Sequence, residues 1–170
     1  MEPIPEDIVE RAEDFFFKLD DKQVVDFFEE YKKKQPWVHR FILVSFNFIK
    51  LNKYHILLSR FLLLIDFCYQ SYPLIFPIIE RSKVGEYMKD ETIKQFSPLK
   101  PGSEHVDTNQ SYLLVEQIYL TEVLKSKESL YDDEANPLDK KIAGEIWLTM
   151  ITVLNIYQDM AKKEMDKINK

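Results

Sequence analysis

The sequence predicts an all-α fold, a compact bundle of five to seven helices, and two observations support this prediction. Apolar residues recur at spacings of three and four along most of the chain, which is the period of a helix face. Only three glycines occur in 170 residues. A sandwich or barrel of short strands needs turn residues every ~8–12 positions, so this composition disfavours an all-β fold.

The chain has the size of one ordinary domain. With 170 residues, of which 45% are hydrophobic, it is long enough to bury about 70% of the surface that its unfolded form exposes. We therefore expect a single helical domain over residues 1–170. The polar connection 97–109 contains two prolines and a glycine, so a subdivision at that point stays open.

The first two helices are expected to form a helical hairpin. Between Pro5 and Leu19 the apolar residues follow one helix face, and Pro5 suits a first helical turn. Asp20 or Asp21 can then cap a second helix. This helix ends at the lysines of 32–34, whose positive charges favour a helix C-terminus.

Residues 37–72 are expected to form a central element, for which three interpretations are open. An apolar stripe and a polar stripe both keep their phase along the segment. This favours one helix of about 35 residues, or two nearly collinear helices with a kink near 51–53. A tight hairpin at the kink is the alternative. The polar stripe, which faces either solvent or a close helix contact, consists of Ser45, Asn52, Ser59 and Asp66.

Prolines and one strong cap define the later elements. Pro73 and Pro77 forbid a regular helix across both, so the chain is expected to turn there and to restart in a helix from Pro77 to about Phe96. A further helix is expected over 110–127. Asn136 is the predicted N-cap of a second long central helix, expected over 137–160, which begins with a proline at its first position.

No spacing typical of a catalytic, metal or nucleotide site occurs in the sequence. A di-iron bundle needs Glu-x-x-His pairs, and none exists. His39 and His55 would lie on nearly opposite sides of a single helix, so they cannot share a metal. Cys68 lacks a basic neighbour and is interpreted as a buried structural residue. We therefore predict no catalytic residue, no metal and no cofactor, although an active site built from scattered residues would leave no local signature.

Charge is distributed in blocks of alternating sign. Residues 1–30 hold eleven acidic and three basic side chains, whereas residues 31–60 hold seven basic side chains and no acid. Blocks of opposite sign usually attract one another within one molecule, so internal docking of the basic segment is the simpler interpretation. The alternative is a basic surface that is free for an acidic partner.

The basic side chains of this segment are the candidate partner-binding residues. They are Lys32, Lys33, Lys34, Arg40, Lys50, Lys53 and Arg60. Aromatic residues interleave with them, a mixture that single-stranded nucleic acid binding uses. The chain is acidic overall, with a net charge of -6, and most of the aromatics fit the helical core period, so a protein partner is favoured over nucleic acid.

The leading functional hypothesis is a non-enzymatic protein-interaction or regulatory domain, cytoplasmic, acting through a helical surface and able to form a homodimer. The lone cysteine fits a reducing compartment, and no charge-free run reaches the ~20 residues that a membrane helix needs. The alternative is a bundle that encloses an apolar small molecule, and an enzyme comes third. The first two differ in whether Phe41, Phe48, Trp147 and Tyr157 fill the core or line a cavity.

Overall fold

The computed structural model describes residues 2–47, 52–89, 120, 123 and 137–169. Within these residues six helices can be bounded and no strand occurs, which confirms the predicted all-α class. The helices are α1 (Glu6–Lys18), α2 (Asp21–Lys34), α3 (Pro36–Phe46), α4 (Asn52–Gln70), α5 (Arg81–Lys89) and α6 (Pro137–Ile168). None of them is long and apolar enough to cross a membrane. The predicted polar connection 97–109 and most of the predicted helix 110–127 lie outside the described residues.

Two residues connect α1 to α2, and the second of them caps α2. The Asp20 carboxylate accepts a hydrogen bond from the backbone N–H of Gln23 at 2.8 Å, and the Gln23 side-chain oxygen accepts one from the backbone N–H of Asp20 at 2.9 Å. This reciprocal capping box satisfies two backbone donors at once and sets the start of the helix. Of the two aspartates that the sequence offered, Asp20 is the cap.

The prediction of one continuous or collinear helix over 37–72 is wrong, because α3 ends at Phe46 and α4 begins at Asn52. The rings of Phe46 and His55 stack with centroids 4.3 Å apart. Nine residues along a single helix would place these side chains on opposite faces and about 13.5 Å apart along the axis. The chain therefore changes direction between the two helices, in agreement with the hairpin alternative.

The core lies around α4, which covers the second part of the predicted central segment 37–72, and α6, the other predicted central helix. α4 packs against α1, α2 and α6. Its apolar side chains are buried around most of its circumference, as the sequence predicted, and they include Leu58, Phe61, Leu62, Leu64 and Ile65. α6 is longer than the predicted 137–160, because its last turns continue as helix to Ile168. Ala161 is fully buried, so packing supports the beginning of this extension.

The segment between α4 and α5 is held in place by one buried side chain. Gln35, at the junction of α2 and α3, donates from Nε2 to the Pro77 carbonyl oxygen and accepts the Ile79 N–H at Oε1, both at 2.8 Å. These two bonds keep residues 77–79 extended. The helix expected to restart at Pro77 begins only at Arg81 for this reason.

Candidate functional site

The predicted basic residues that the structure describes lie on three helices. Lys32, Lys33 and Lys34 form the last turn of α2, Arg40 lies on α3, and Lys53 and Arg60 lie on α4. Lys50 lies outside the described residues. The Lys53 ammonium sits 4.6 Å from the centroid of the Tyr54 ring. The basic residues that are described are therefore distributed over α2, α3 and α4.

Arg60 is engaged inside the molecule. Its guanidinium donates to the Phe16 carbonyl oxygen at 2.5 Å and lies 3.3 Å from the Asp21 carboxylate, and its side chain is only 12% exposed. The Phe16 carbonyl belongs to the last turn of α1, where backbone oxygens lack helical partners. Arg60 thus fastens the end of α1 and the start of α2 to α4, and it offers little surface to a partner.

The other basic side chains differ in whether they form an ion pair. On α1 and α2, four of them form an ion pair with a carboxylate one helical turn away. The pairs are Asp7–Arg11, Asp14–Lys18, Lys22–Asp26 and Glu30–Lys33. Their nitrogen–oxygen distances are 3.2, 2.7, 3.0 and 2.7 Å, respectively. Among the described residues, no carboxylate lies within ion-pair distance of Lys32, Lys34 or Arg40. Internal ion pairs therefore account for Arg60 and Lys33, while Lys32, Lys34 and Arg40 are exposed near the α2–α3 junction without a carboxylate partner in the described part of the chain.

Three phenylalanines form an exposed aromatic surface that we call the phenylalanine patch. Phe15 of α1, Phe27 of α2 and Phe67 of α4 are each 42–47% exposed. They surround Phe16, whose ring is buried and contacts all three edge-on, with centroids 5.0–6.2 Å apart. Phe15 and Phe27 also contact each other directly, at 5.7 Å. The patch is thus a preformed apolar surface shared by three helices.

Sequence reasoning missed this patch, although a signal was present. Phe15, Phe16 and Phe17 are consecutive, and three consecutive helical positions span about 200° of the helix circumference. All three cannot face one core, so at least one large ring had to lie near the surface. The partners Phe27 and Phe67 could not be identified, because their proximity depends on how α2 and α4 pack.

A buried polar network lies where α2, α4 and α6 meet. The Tyr157 hydroxyl donates to Asp66 Oδ1 at 2.7 Å, so its one proton is used and Tyr31 donates to Tyr157 at 2.6 Å. All three side chains are buried. Burial raises the pKa of Asp66, against hydrogen bonds from Tyr157 and Gln70 that lower it, and burial raises the tyrosine pKa values well above their ordinary range.

The burial of Asp66 also shows which way the predicted polar stripe faces. Ser59 and Asp66 are buried, so this part of the stripe faces the interior rather than solvent. Ser59 donates to the His55 carbonyl oxygen of its own helix at 2.9 Å. Ser45 lies 3.5 Å from the Thr149 hydroxyl of α6, which makes its position a helix contact. Asn52 is helical, and its side chain lies outside the described part of the chain.

The remaining chemically active side chains are dispersed. Cys68 is buried, which raises the pKa of its thiol to about 12 and suits the predicted structural role. His39 packs against the Phe28 ring, and burial lowers its pKa, with Glu29 raising it and Lys32 lowering it. His105 lies outside the described residues. The residues that are described contain no group of three or more His, Cys, Asp or Glu side chains that could hold a metal ion.

Comparison of this chain with protein-family models, with curated proteins and with solved structures finds no match in any of the three.

Proposed function

We propose that this chain is a non-enzymatic protein-interaction domain whose principal contact surface is the phenylalanine patch. The observation that supports it is the exposure of Phe15, Phe27 and Phe67 on one continuous ring cluster. Taking about 200 Å² for each ring, the three exposed fractions present roughly 260 Å² of aromatic surface to water. This area is slightly below the ~300–600 Å² of the largest apolar patch on a typical soluble monomer, so the proposal depends on its aromatic composition, because aromatic residues are enriched at the centres of interfaces.

The occupant that fits the patch best is a second copy of this chain. Residues 1–30 are strongly acidic. However, Asp14 on α1 and Asp26 and Glu30 on α2 each form an ion pair with a lysine. These pairs reduce the charge repulsion that a second copy meets, and its own phenylalanines supply matching ring edges. Closed two-fold dimers are the commonest assemblies of identical chains. Because the ring surface is well below the ~800 Å² per partner of a standard interface, we expect a weak dimer that depends on concentration.

Sedimentation velocity of the full chain from about 5 to 200 µM tests this proposal, since that range spans a micromolar dissociation constant. We expect a reversible monomer–dimer equilibrium. Phe27→Gln should shift it to monomer, because it removes a central ring, whereas Ile78→Gln, an exposed apolar position outside the patch, should leave it unchanged. Wild-type protein that stays monomeric at every concentration, or an equal effect of both substitutions, contradicts the proposal.

Core packing favours this function over a bundle that encloses an apolar small molecule. Trp147 and Tyr157 are buried, and the Tyr157 ring contacts Phe76 at 5.1 Å and Tyr69 at 5.5 Å. Phe41 is partly buried against the core. These contacts are those of side chains that fill space between helices rather than line a cavity. Phe48, the fourth residue of this comparison, lies outside the described residues.

A further inference from the structure

The outer side of α3 carries a mixed apolar and basic surface that we call the α3 face. Its residues fall within about 120° of the helix circumference. They are Trp37, Arg40, Leu43, Val44 and Asn47. Leu43 and Val44 are each 41% exposed, while Val38, His39 and Ile42 of the same helix are buried on its other side. The α3 face thus presents two adjacent aliphatic side chains to water in the C-terminal half of the helix, next to the exposed Arg40.

Arginines from two helices lie on this face, and a lysine of a third helix lies near its N-terminal end. Arg40 lies at the centre of the face, and Lys32 lies in the last turn of α2, just before the start of α3. Arg81 of α5 places its guanidinium 5.6 Å from the centroid of the Trp37 ring. Among the described residues, no carboxylate lies within ion-pair distance of these three cations, and α3 itself contains no acid.

We propose that the α3 face is a docking site for an acidic amphipathic helix of a partner protein. Leu43 and Val44 would bury the apolar side of that helix, and its acidic residues would meet the surrounding cations. The eleven residues of α3 correspond to about 16 Å, or three turns of a partner helix.

The composition of the face favours a protein helix over a single-stranded nucleic acid. Nucleic acid binding without sequence preference relies on exposed aromatic rings on which bases stack. The one aromatic ring of the α3 face, Trp37, is already covered by Arg81, and its other apolar groups are the aliphatic Leu43 and Val44. Aliphatic side chains suit the apolar stripe of an amphipathic helix.

This site goes beyond the proposed self-association, because it lies on a different side of α2. Phe27 of α2 contacts Phe15 and Phe16 within the phenylalanine patch. Phe28, the next residue, contacts His39 and Phe46 of α3 instead. One surface can therefore fail its test without affecting the other.

Binding of a synthetic peptide to the full chain tests the proposal. The probe is a fluorescein-labelled 18-residue helix with leucine at i, i+3, i+4 and i+7 and glutamate at the other positions. Fluorescence anisotropy should give a micromolar dissociation constant that rises with salt, as screened charge attraction requires. Arg40→Glu and Leu43→Ser should each weaken binding about tenfold, since a tenfold change needs only ~1.4 kcal/mol. Both positions are exposed, so both variants should keep the wild-type circular dichroism spectrum.

Two matched variants control for charge and for apolar area. Lys22→Glu changes the net charge by the same amount as Arg40→Glu, and Val25→Ser removes an aliphatic side chain that is 46% exposed. Neither lies on the α3 face, so both should bind the probe as the wild type does. Equal weakening by the controls, equal or tighter binding of a peptide with lysine in place of glutamate, or tighter binding of a 20-nucleotide oligothymidylate overturns the proposal. Absence of binding at 0.5 mM probe overturns it as well.

Discussion

At the scale of single residues, the buried carboxyl of Asp66 is the most consequential side chain. It has no cation within ion-pair distance among the described residues, and its hydrogen bonds come from the neutral groups of Tyr157 and Gln70. Lys34 acts on it only at longer range. A carboxylate buried with hydroxyl and amide donors alone is costly, so the protonated form is favoured relative to an exposed aspartate.

Asp66 therefore predicts a pH dependence of stability with a definite sign. Its pKa is raised in the folded state, so the folded protein binds this proton more tightly than the unfolded chain does. The contribution of Asp66 is fully favourable below pH ~3.9, the pKa of an unfolded aspartate, and is lost as pH rises through the higher folded value. Asp66→Asn keeps an oxygen acceptor for Tyr157 and removes the titration.

Urea unfolding of both proteins from about pH 3 to pH 8 measures this effect as the difference between the two free energies of unfolding. We expect similar stabilities at the acid end and a growing advantage of Asp66→Asn as pH rises. A difference with the opposite slope would show that the network favours the ionised carboxylate.

At the scale of elements, long-range side-chain bonds determine where helices begin, end and dock. Gln35 holds residues 77–79 extended and so delays α5, although the local sequence allows helix from Pro77. Arg60 acts in the same way on the α1–α2 junction. In both cases one polar side chain satisfies backbone groups of a segment about 40 residues away, which no local propensity can anticipate.

Alanine substitutions at Arg60 and at Arg40 compare an arginine engaged inside the molecule with one on the surface. Arg60→Ala leaves the Phe16 carbonyl without its donor in a mostly buried location, so we expect a loss of about 1–3 kcal/mol in the free energy of unfolding. The pair with exposed Asp21 adds little to this because solvent screens it. Arg40→Ala removes an exposed cation that has no carboxylate partner among the residues the structure describes, so the free energy of unfolding should stay within about 0.5 kcal/mol of wild type.

Denaturant unfolding at neutral pH gives both values. Equal losses for the two variants would mean that the internal contacts of Arg60 do not hold the helices together. A loss at Arg40 alone would place Arg40 in an intramolecular contact and remove it from the α3 face.

At the scale of the whole molecule, the described helices share one core. Leu58, at the centre of α4, is fully buried, and α4 contacts α1, α2 and α6. Ile75 is apolar and of the same size, but it is almost fully exposed in the segment between α4 and α5. These two positions compare core packing with surface exposure at constant side-chain volume.

Leu58→Ala should therefore lower the free energy of unfolding by about 2–5 kcal/mol, because it leaves a cavity among three helices. Ile75→Ala should change it by less than about 0.5 kcal/mol. Thermal and denaturant unfolding measure both. A small effect at Leu58 would mean that α4 is not central, and a large effect at Ile75 would mean that the segment between α4 and α5 is buried in solution, for example in a dimer.

Local patterns in the sequence were enough to predict the helical class, the capped start of α2, the apolar character of α4 and the burial of Cys68. These follow from backbone propensity, proline geometry and periodicity, which act over a few residues. The packing of the helices is what makes α3 and α4 separate helices, buries Asp66 and engages Arg60, while Arg40 meets no carboxylate among the described residues. The reason is that Asp66 meets Tyr157, and Arg60 meets Asp21, across 91 and 39 residues of chain. Which distant groups meet depends on how whole helices pack, and local sequence patterns do not predict that packing.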